Sequence, residues 1–393
     1  MTFRTWDRVL SLLAIGFAFS ICLLHAPLAN AAPPLSGSNS ARQSVTVEDV
    51  QRILAPDKDK AGKGKSDAEL ARQLSGLELT ERMRSSALRS LEHSAPGAKS
   101  RRALIALADA SVFLSPAAAD VLSQARPDVD EQRHMLTLTV GYLAKTLPRL
   151  PNFYATRTIV RFEDTPIGKR TKTVSQNRPS WRQVGSSKVI VAYRDGKEVV
   201  DPREWGKHPH HPEGEGLITR GTFGPILLVV FVDATHSGGF TWDRSERGSA
   251  GTRAVFRYRV PQDQSHYSVG FHAISSGHGN AEQTSGYHGE VAIDPVTGTI
   301  LRVTVQAEQP LDSPILRSDI MVEYGPVEIG GKTYTCPIRS VSISTGAIGL
   351  RTDPFGGFAP PPAPLLNDVT FDNYHQFRSE SRILPGVVPA PNP

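Results

Sequence analysis

The chain is predicted to be an α+β protein, an N-terminal helical segment followed by a large twisted antiparallel β-sheet or half-barrel. Between Ser66 and Pro151 apolar residues recur every three to four positions, and after Pro151 the period drops to two. With 393 residues, 39% hydrophobic and 21% charged, the chain can bury a sizeable core, which excludes a wholly disordered protein.

Residues 1–31 have the form of a secretory signal peptide. Arg4 and Arg8 precede an apolar run from Val9 to Leu24, and Ala29-Asn30-Ala31 supplies the small-x-small cleavage pattern before Ala32. That run is shorter than the about 20 residues a spanning helix needs. An uncleaved anchor is the alternative. Ile21 before Cys22 excludes a lipidation site, which needs a small residue there. No later segment is apolar enough to span a membrane, so the mature chain is expected to be exported, to the periplasm first and otherwise outside the cell. Residues 32–65 are rich in Ser, Pro, Gly and Lys and read as a flexible linker, apart from a short helix near Val47–Leu54.

The helical region is 66–151. Ser66 with Glu69 forms a capping box ahead of Leu70, Leu74 and Leu77. Thr80 is the expected cap of a second helix carrying Met83, Leu88 and Leu91, stopped by Pro96-Gly97. A third runs from about Ser100 through Leu104, Leu107 and Val112 to Pro116. Asp128 and Glu131 open a fourth, with Leu136, Val140, Leu143 and Leu147 on one face.

The sheet domain is 152–380, with nine or ten strands. Thr158, Val160 and Phe162 alternate with charged residues, as do Val189, Val191 and Tyr193 before the hairpin signal Asp195-Gly196. Ala254, Phe256, Tyr258 and Val260 share one face of a strand, and Tyr267, Val269, Phe271 and Ala273 share a face of the next run. Such one-sided strands predict a sheet covered on one face. Further hairpins turn at Pro295-Val-Thr-Gly298 and Gly330-Gly331. A strand from Asn367 to Phe377 precedes a Pro-rich tail, 381–393.

Three pieces in order carry a family resemblance. They are Asp294-Pro-x-Thr-Gly298 between two strands; Tyr324, Val327, Ile329, Gly330, Gly331, Lys332, Tyr334 and Pro337; and Val369, Phe371, Asn373 and Tyr374. Over 289–377 the chain resembles the periplasmic lipoprotein-carrier and lipoprotein-sorting superfamily. The resemblance implies a sheet curled into a half-barrel around a helical lid, with an apolar concave face that holds acyl chains. Such carriers lack the long helical segment found here, so the chain looks like an exported protein containing that fold.

Composition narrows function. Lys plus Arg is 44 against 39 for Asp plus Glu, too small an excess for a nucleic-acid surface. After processing only Cys336 is left, in an apparent strand, so no intramolecular disulfide is expected and the thiol should be buried. His208, His210 and His211 could capture a metal but lack a Cys or a spaced carboxylate, and a solvated loop is the simpler reading. His266, His272, His278 and His288, with Ser275, Ser276 or Asp294, invite a hydrolase, yet no nucleophile elbow or paired-acid signature supports one. Arg253, Arg257 and Arg259 form a basic stripe suited to phosphate head groups or an acidic partner, or to solvent.

No catalytic residue, metal ligand or cofactor is assigned. The expected cavity lining is Val160, Phe162, Phe256, Tyr258, Tyr267, Phe271, Val303 and Val305. The expected function is an exported non-enzymatic binding protein for an acyl chain or lipidated partner. The alternative is an envelope scaffold or interaction module with a closed sheet, docking an envelope protein through its helical region. An exported hydrolase or metal-binding protein comes third.

Overall fold

The computed structural model describes residues 42–55, 65–166, 179–200, 222–249, 251–271, 281–310, 313, 315–346 and 363–376. The signal-like segment, the His208–His211 loop, His272, Ser275, Ser276, His278 and the Pro-rich tail lie outside them.

Among the described residues before the large sheet are five α-helices, α1 (Val47–Leu54), α2 (Asp67–Ser75), α3 (Ser85–Ser94), α4 (Ala98–Ala110) and α5 (Val129–Thr146). Their starts follow the caps. Thr46 and Asp49 form a reciprocal box at α1, and Asp128 and Glu131 do the same at α5. Ser66 accepts from the Glu69 N–H at α2. Thr80 caps nothing: its hydroxyl donates to the Val45 carbonyl, and α3 begins later, at Ser85. Leu77 leaves the helical pattern because α2 ends at Gly76. Leu77–Leu79 (β2) instead pairs in parallel with Gln43–Val45 (β1), inside the stretch expected to be linker. The two strands and α1–α4 share one apolar core around Val50, Leu74 and Leu104.

A ten-stranded antiparallel sheet follows. Its strands are β3 (Phe153–Pro166), β4 (Pro179–Arg194), β5 (Lys197–Val200), β6 (Thr241–Arg247), β7 (Thr252–Val260), β10 (Gly286–Ile293), β11 (Ile300–Glu308), β12 (Ile315–Ile329), β13 (Lys332–Gly346) and β14 (Leu365–Gln376). The order is β5-β4-β3-β14-β13-β12-β11-β10-β7-β6, so the sheet is open, with β5 and β6 as its edges. The three expected turns form. Asp195 and Gly196 both take positive φ, as do Gly330 and Gly331, and Gly298 has φ 71°. The residues of β8 (Ser268–Phe271) do not continue the sheet beside β7. They pair with β9 (Ala281–Thr284) as a separate two-stranded antiparallel sheet, and β10 takes the place next to β7.

The sheet is covered on both faces, not on one. Helix α5 and a sixth helix, α6 (Pro225–His236), lie on the first face, against Phe256, Tyr258, Tyr287, Val291, Val303, Val305, Ile320 and Val322. On the opposite face Ala106 of α4 and Val112 just after it pack against Phe162, Met321, Val341, Ile343 and Leu366. The alternation of β13 explains the second contact, since Val341 and Ile343 point to α4 while Ser340, Ser342 and Ser344 point to the α6 face.

Candidate functional site

Helix α6 is made of Ile226, Leu227, Leu228, Val229, Val230, Phe231, Val232 and then a carboxylate, Asp233. An apolar stretch of this length is helical here because Gly224-Pro225 starts it and Gly238-Gly239, both at positive φ, stop it. The chain leaves β5 at one edge of the sheet and enters β6 at the other, and α6 lies along this crossover. It is fixed at both ends. Just before it, Phe223 sits in a ring cluster with Phe153 and Phe371, each 5.3 Å away between centroids, and the Thr222 carbonyl accepts from the Tyr324 hydroxyl at 3.0 Å.

At the other end Asp233, 1% exposed, accepts three hydrogen bonds. These come from the His266 backbone N–H at 2.8 Å, His266 Nδ1 at 2.7 Å and the Tyr287 hydroxyl at 2.9 Å. Burial, with the Asp233 carboxylate beside it, raises the Tyr287 pKa far above its ordinary value, so the hydroxyl stays a donor. The buried carboxylate and phenol and the His266 imidazole, which is 67% exposed, thus form one satisfied polar anchor at the edge of the apolar core.

The apolar surface under α6 ends at β13. One row across the sheet reads Val305, Ile320, Ser342, Asn367, Arg161, from β11 to β3. Arg161 Nε donates to Asn367 Oδ1 at 3.2 Å, and Asn367 Nδ2 to Ser342 Oγ at 3.4 Å. Helix α6 packs on β7, β10, β11 and β12, and a second apolar cluster, with Phe153, Cys336, Val369 and Phe371, gathers around Phe223.

Of the expected cavity residues, Phe256, Tyr258, Val303 and Val305 are fully or almost fully buried beneath α5 and α6. Tyr267 packs over Tyr287, 5.3 Å away between ring centroids. Val160 and Phe162 are on the other face, against α4, because the parity of β3 sends them there. The side chain of Phe271 lies outside the described residues. Tyr258 crosses Gly289 to donate to the Thr304 carbonyl at 2.6 Å. A Cβ at Gly289 would stand 1.9 Å from that oxygen, so only glycine fits.

The α4 face carries a buried ion network. Glu246 contacts Arg82 at 2.6 Å, Arg244 at 2.5 Å and Arg302 at 3.2 Å, and Arg244 and Arg302 also reach Glu290 at 2.7 and 3.2 Å. Burial raises the Glu246 pKa, but Arg302, Arg82 and Arg244 outweigh it and hold the carboxyl well below its usual range. Nearby, Arg339 joins Asp109 of α4 to Asp368, and Ser85 of α3 donates to Glu323 at 2.6 Å. Of the basic stripe, Arg253 is half-buried next to this network, whereas Arg257 and Arg259 are exposed and pair with Asp243 and Glu308.

Sequence reasoning missed Asp233, Tyr287 and Glu246. A single carboxylate closing a long apolar run was the available signal for the first. Among the described residues no three His, Cys, Asp or Glu side chains gather as metal ligands, and no helix is long and apolar enough to cross a membrane. Comparison with protein-family models, curated proteins and solved structures finds no match to this chain.

Proposed function

We propose that the protein is an exported, non-enzymatic binding protein that holds an acyl chain or lipidated partner on the apolar part of its sheet, with α6 as the lid the ligand displaces. One observation carries this reading. An almost wholly apolar helix lies on the apolar face along a crossover between the two sheet edges, tied down at its C-terminal end by the Asp233 anchor. Ligand methylenes would replace helix side chains against Phe256, Val303 and Val305 at about 0.8 kcal/mol each. The exchange of one apolar cover for another is close to balanced, so a chain of ordinary length suffices. An open antiparallel sheet with an apolar face beneath α6 supports this reading.

A closed interaction module is the second reading, favoured by the full burial of Phe256, Val305, Tyr287 and Val230. Fluorescent fatty-acid titration of the mature chain, with native mass spectrometry of the exported protein, separates the two. The lid reading expects saturable uptake and co-purifying lipid. If there is neither, and Phe256→Ala costs the about 3–5 kcal/mol of a closed core, the lid reading fails.

A further inference from the structure

Strand β6 begins at Thr241, opposite Arg257, so β7 continues through Tyr258, Arg259 and Val260 with no β6 residue paired to it. The chain entering β6 turns away at Gly238 and Gly239, whose φ values of 106° and 84° few other residues would tolerate. Between them lies an open groove of about 500 Å³. Arg257 and Arg259 of β7, His288 of β10 and Glu308 of β11 line it, together with Ser237. The pairing of Arg259 with His288 puts the basic side chains on one face, and the bond from Tyr258 to the Thr304 carbonyl fixes the strands beneath them.

These cations are lightly committed. The side chains of Arg257, Arg259 and His288 are 60%, 76% and 46% exposed. Arg257 comes nearest its carboxylates through Nε, at 3.2 Å from Asp243 and 3.9 Å from Glu290, and Arg259 meets Glu308 through Nη2 at 3.0 Å. Each guanidinium has five N–H donors in a planar fork, so most are left for a ligand. Glu308 is divided between Arg259 and His288 Nδ1, the latter at 3.1 Å. The Ser237 hydroxyl, buried at the wall of the groove, has no hydrogen-bond partner. Exposed pairs of this kind are weak, and a phosphate oxyanion whose oxygens engage both forks outcompetes one shared carboxylate.

We propose that this groove is a phosphate site, in which a phosphate group seats between Arg257 and Arg259 and displaces Glu308 from Arg259. The site does not rest on the acyl reading, because its cations, Arg257, Arg259 and His288, lie on the sheet face opposite Phe256 and Val291, although Ser237 at its wall caps α6. The phosphate could be a free ion or a phospholipid head group, and the experiment separates these sources.

The mature chain is titrated calorimetrically with inorganic phosphate, and its co-flotation is measured with phosphatidylcholine vesicles with and without phosphatidylglycerol. Saturable binding of phosphate supports the site with a free ion as its ligand. Flotation only with phosphatidylglycerol supports it with a head group. In either arm Arg257→Gln with Arg259→Gln weakens binding at least about tenfold, and Glu308→Gln, which removes the internal competitor, strengthens it several-fold. The proposal is overturned if neither the parent chain nor Glu308→Gln binds phosphate or anionic vesicles. It is equally overturned if the double arginine variant, with an unchanged melting temperature, binds as well as the parent.

Discussion

Replacing Asp233 by Asn tests whether α6 is a lid or part of a permanent core. The substitution keeps the shape of the side chain and removes its charge. An amide oxygen turned toward Tyr287 can still accept from that hydroxyl and from the His266 N–H, now 2.9 and 2.8 Å away, but both bonds lose their charge assistance. Hydrogen bonds to ionised acceptors are worth about 1.5–3 kcal/mol and neutral ones about 0.5–1.5, so the anchor weakens by about 1 kcal/mol per bond, some 2–3 kcal/mol in all. Asp233→Leu removes the acceptor altogether and leaves the buried Tyr287 hydroxyl with only the Val229 carbonyl at 3.4 Å, which raises the cost to about 3–5 kcal/mol. If α6 is a lid, this energy is lost locally. Hydrogen exchange of the amides from Ile226 to Thr235 should speed up by about 10–100-fold in Asp233→Asn, since each 1.4 kcal/mol is a factor of ten, while β10–β13 keep their protection. Fluorescent fatty-acid uptake should rise in the same variant. The reasoning is refuted if α6 amides exchange only in step with global unfolding and uptake does not change, for then the helix belongs to the core.

The remaining predictions concern stability and the thiol. Glu246→Gln strips a buried carboxylate from three guanidiniums and should cost about 3–5 kcal/mol in chemical denaturation. Because the folded pKa of Glu246 lies below its unfolded value, its contribution is present above about pH 4 and lost as pH falls through the depressed pKa. The acid limb of the stability curve should therefore flatten in Glu246→Gln, and an identical limb in both proteins would contradict the network's role. Gly289→Ala would drive a methyl group into the Thr304 carbonyl and the Tyr258 hydroxyl, so a loss of about 3 kcal/mol or more is expected in thermal unfolding; a neutral result would mean that Tyr258 does not cross the strand there. Burial pushes the Cys336 thiol up to about 12, so a thiol reagent at neutral pH should label it only at the rate of unfolding, and fast labelling of the native protein would contradict its burial.

Local chemistry made some elements legible and concealed others. Asp128 and Glu131 announced α5 because both partners of a capping box stand in the sequence. Thr80 misled because its hydroxyl serves a strand 35 residues away in the chain, a contact no local pattern records. Leu70, Leu74 and Leu77 share helical spacing, yet Gly76 ends the helix and Leu77 pairs across to Gln43. The alternation of Tyr267 and Val269 was readable, but alternation says which side chains share a face and not which strand lies alongside. The pair β8–β9 thus forms its own sheet apart from β7, its neighbour in sequence. For the same reason Val160 and Phe162 were grouped with Phe256, although strand order and register put them under α4.

The two coverings of the sheet constrain each other. Strands β12 to β14 and β3 place Met321, Val341, Leu366 and Phe162 toward α4, which holds the helical unit to the sheet. Their opposite sides carry Ser340, Ser342, Asn367 and Arg161 among the apolar Ile320, Val322 and Val369. On β7, β10 and β11 the apolar side chains beneath α6 alternate with Arg257, Glu290 and Arg302 on the other face, whereas β12 is apolar on both, with Met321 opposite Ile320 and Val322. Arg82, Arg244, Glu246, Glu290 and Arg302 lie behind Phe256, Val291 and Val303. Taking such charges out of water costs several kcal/mol per ion, and their pairing only offsets this, so the network adds little net stability. It makes one docking geometry far better than any shifted one, because a shift would leave a buried charge unpaired. The helical unit is thus held in register on the very strands whose apolar side lies beneath α6, and moving α6 need not disturb it.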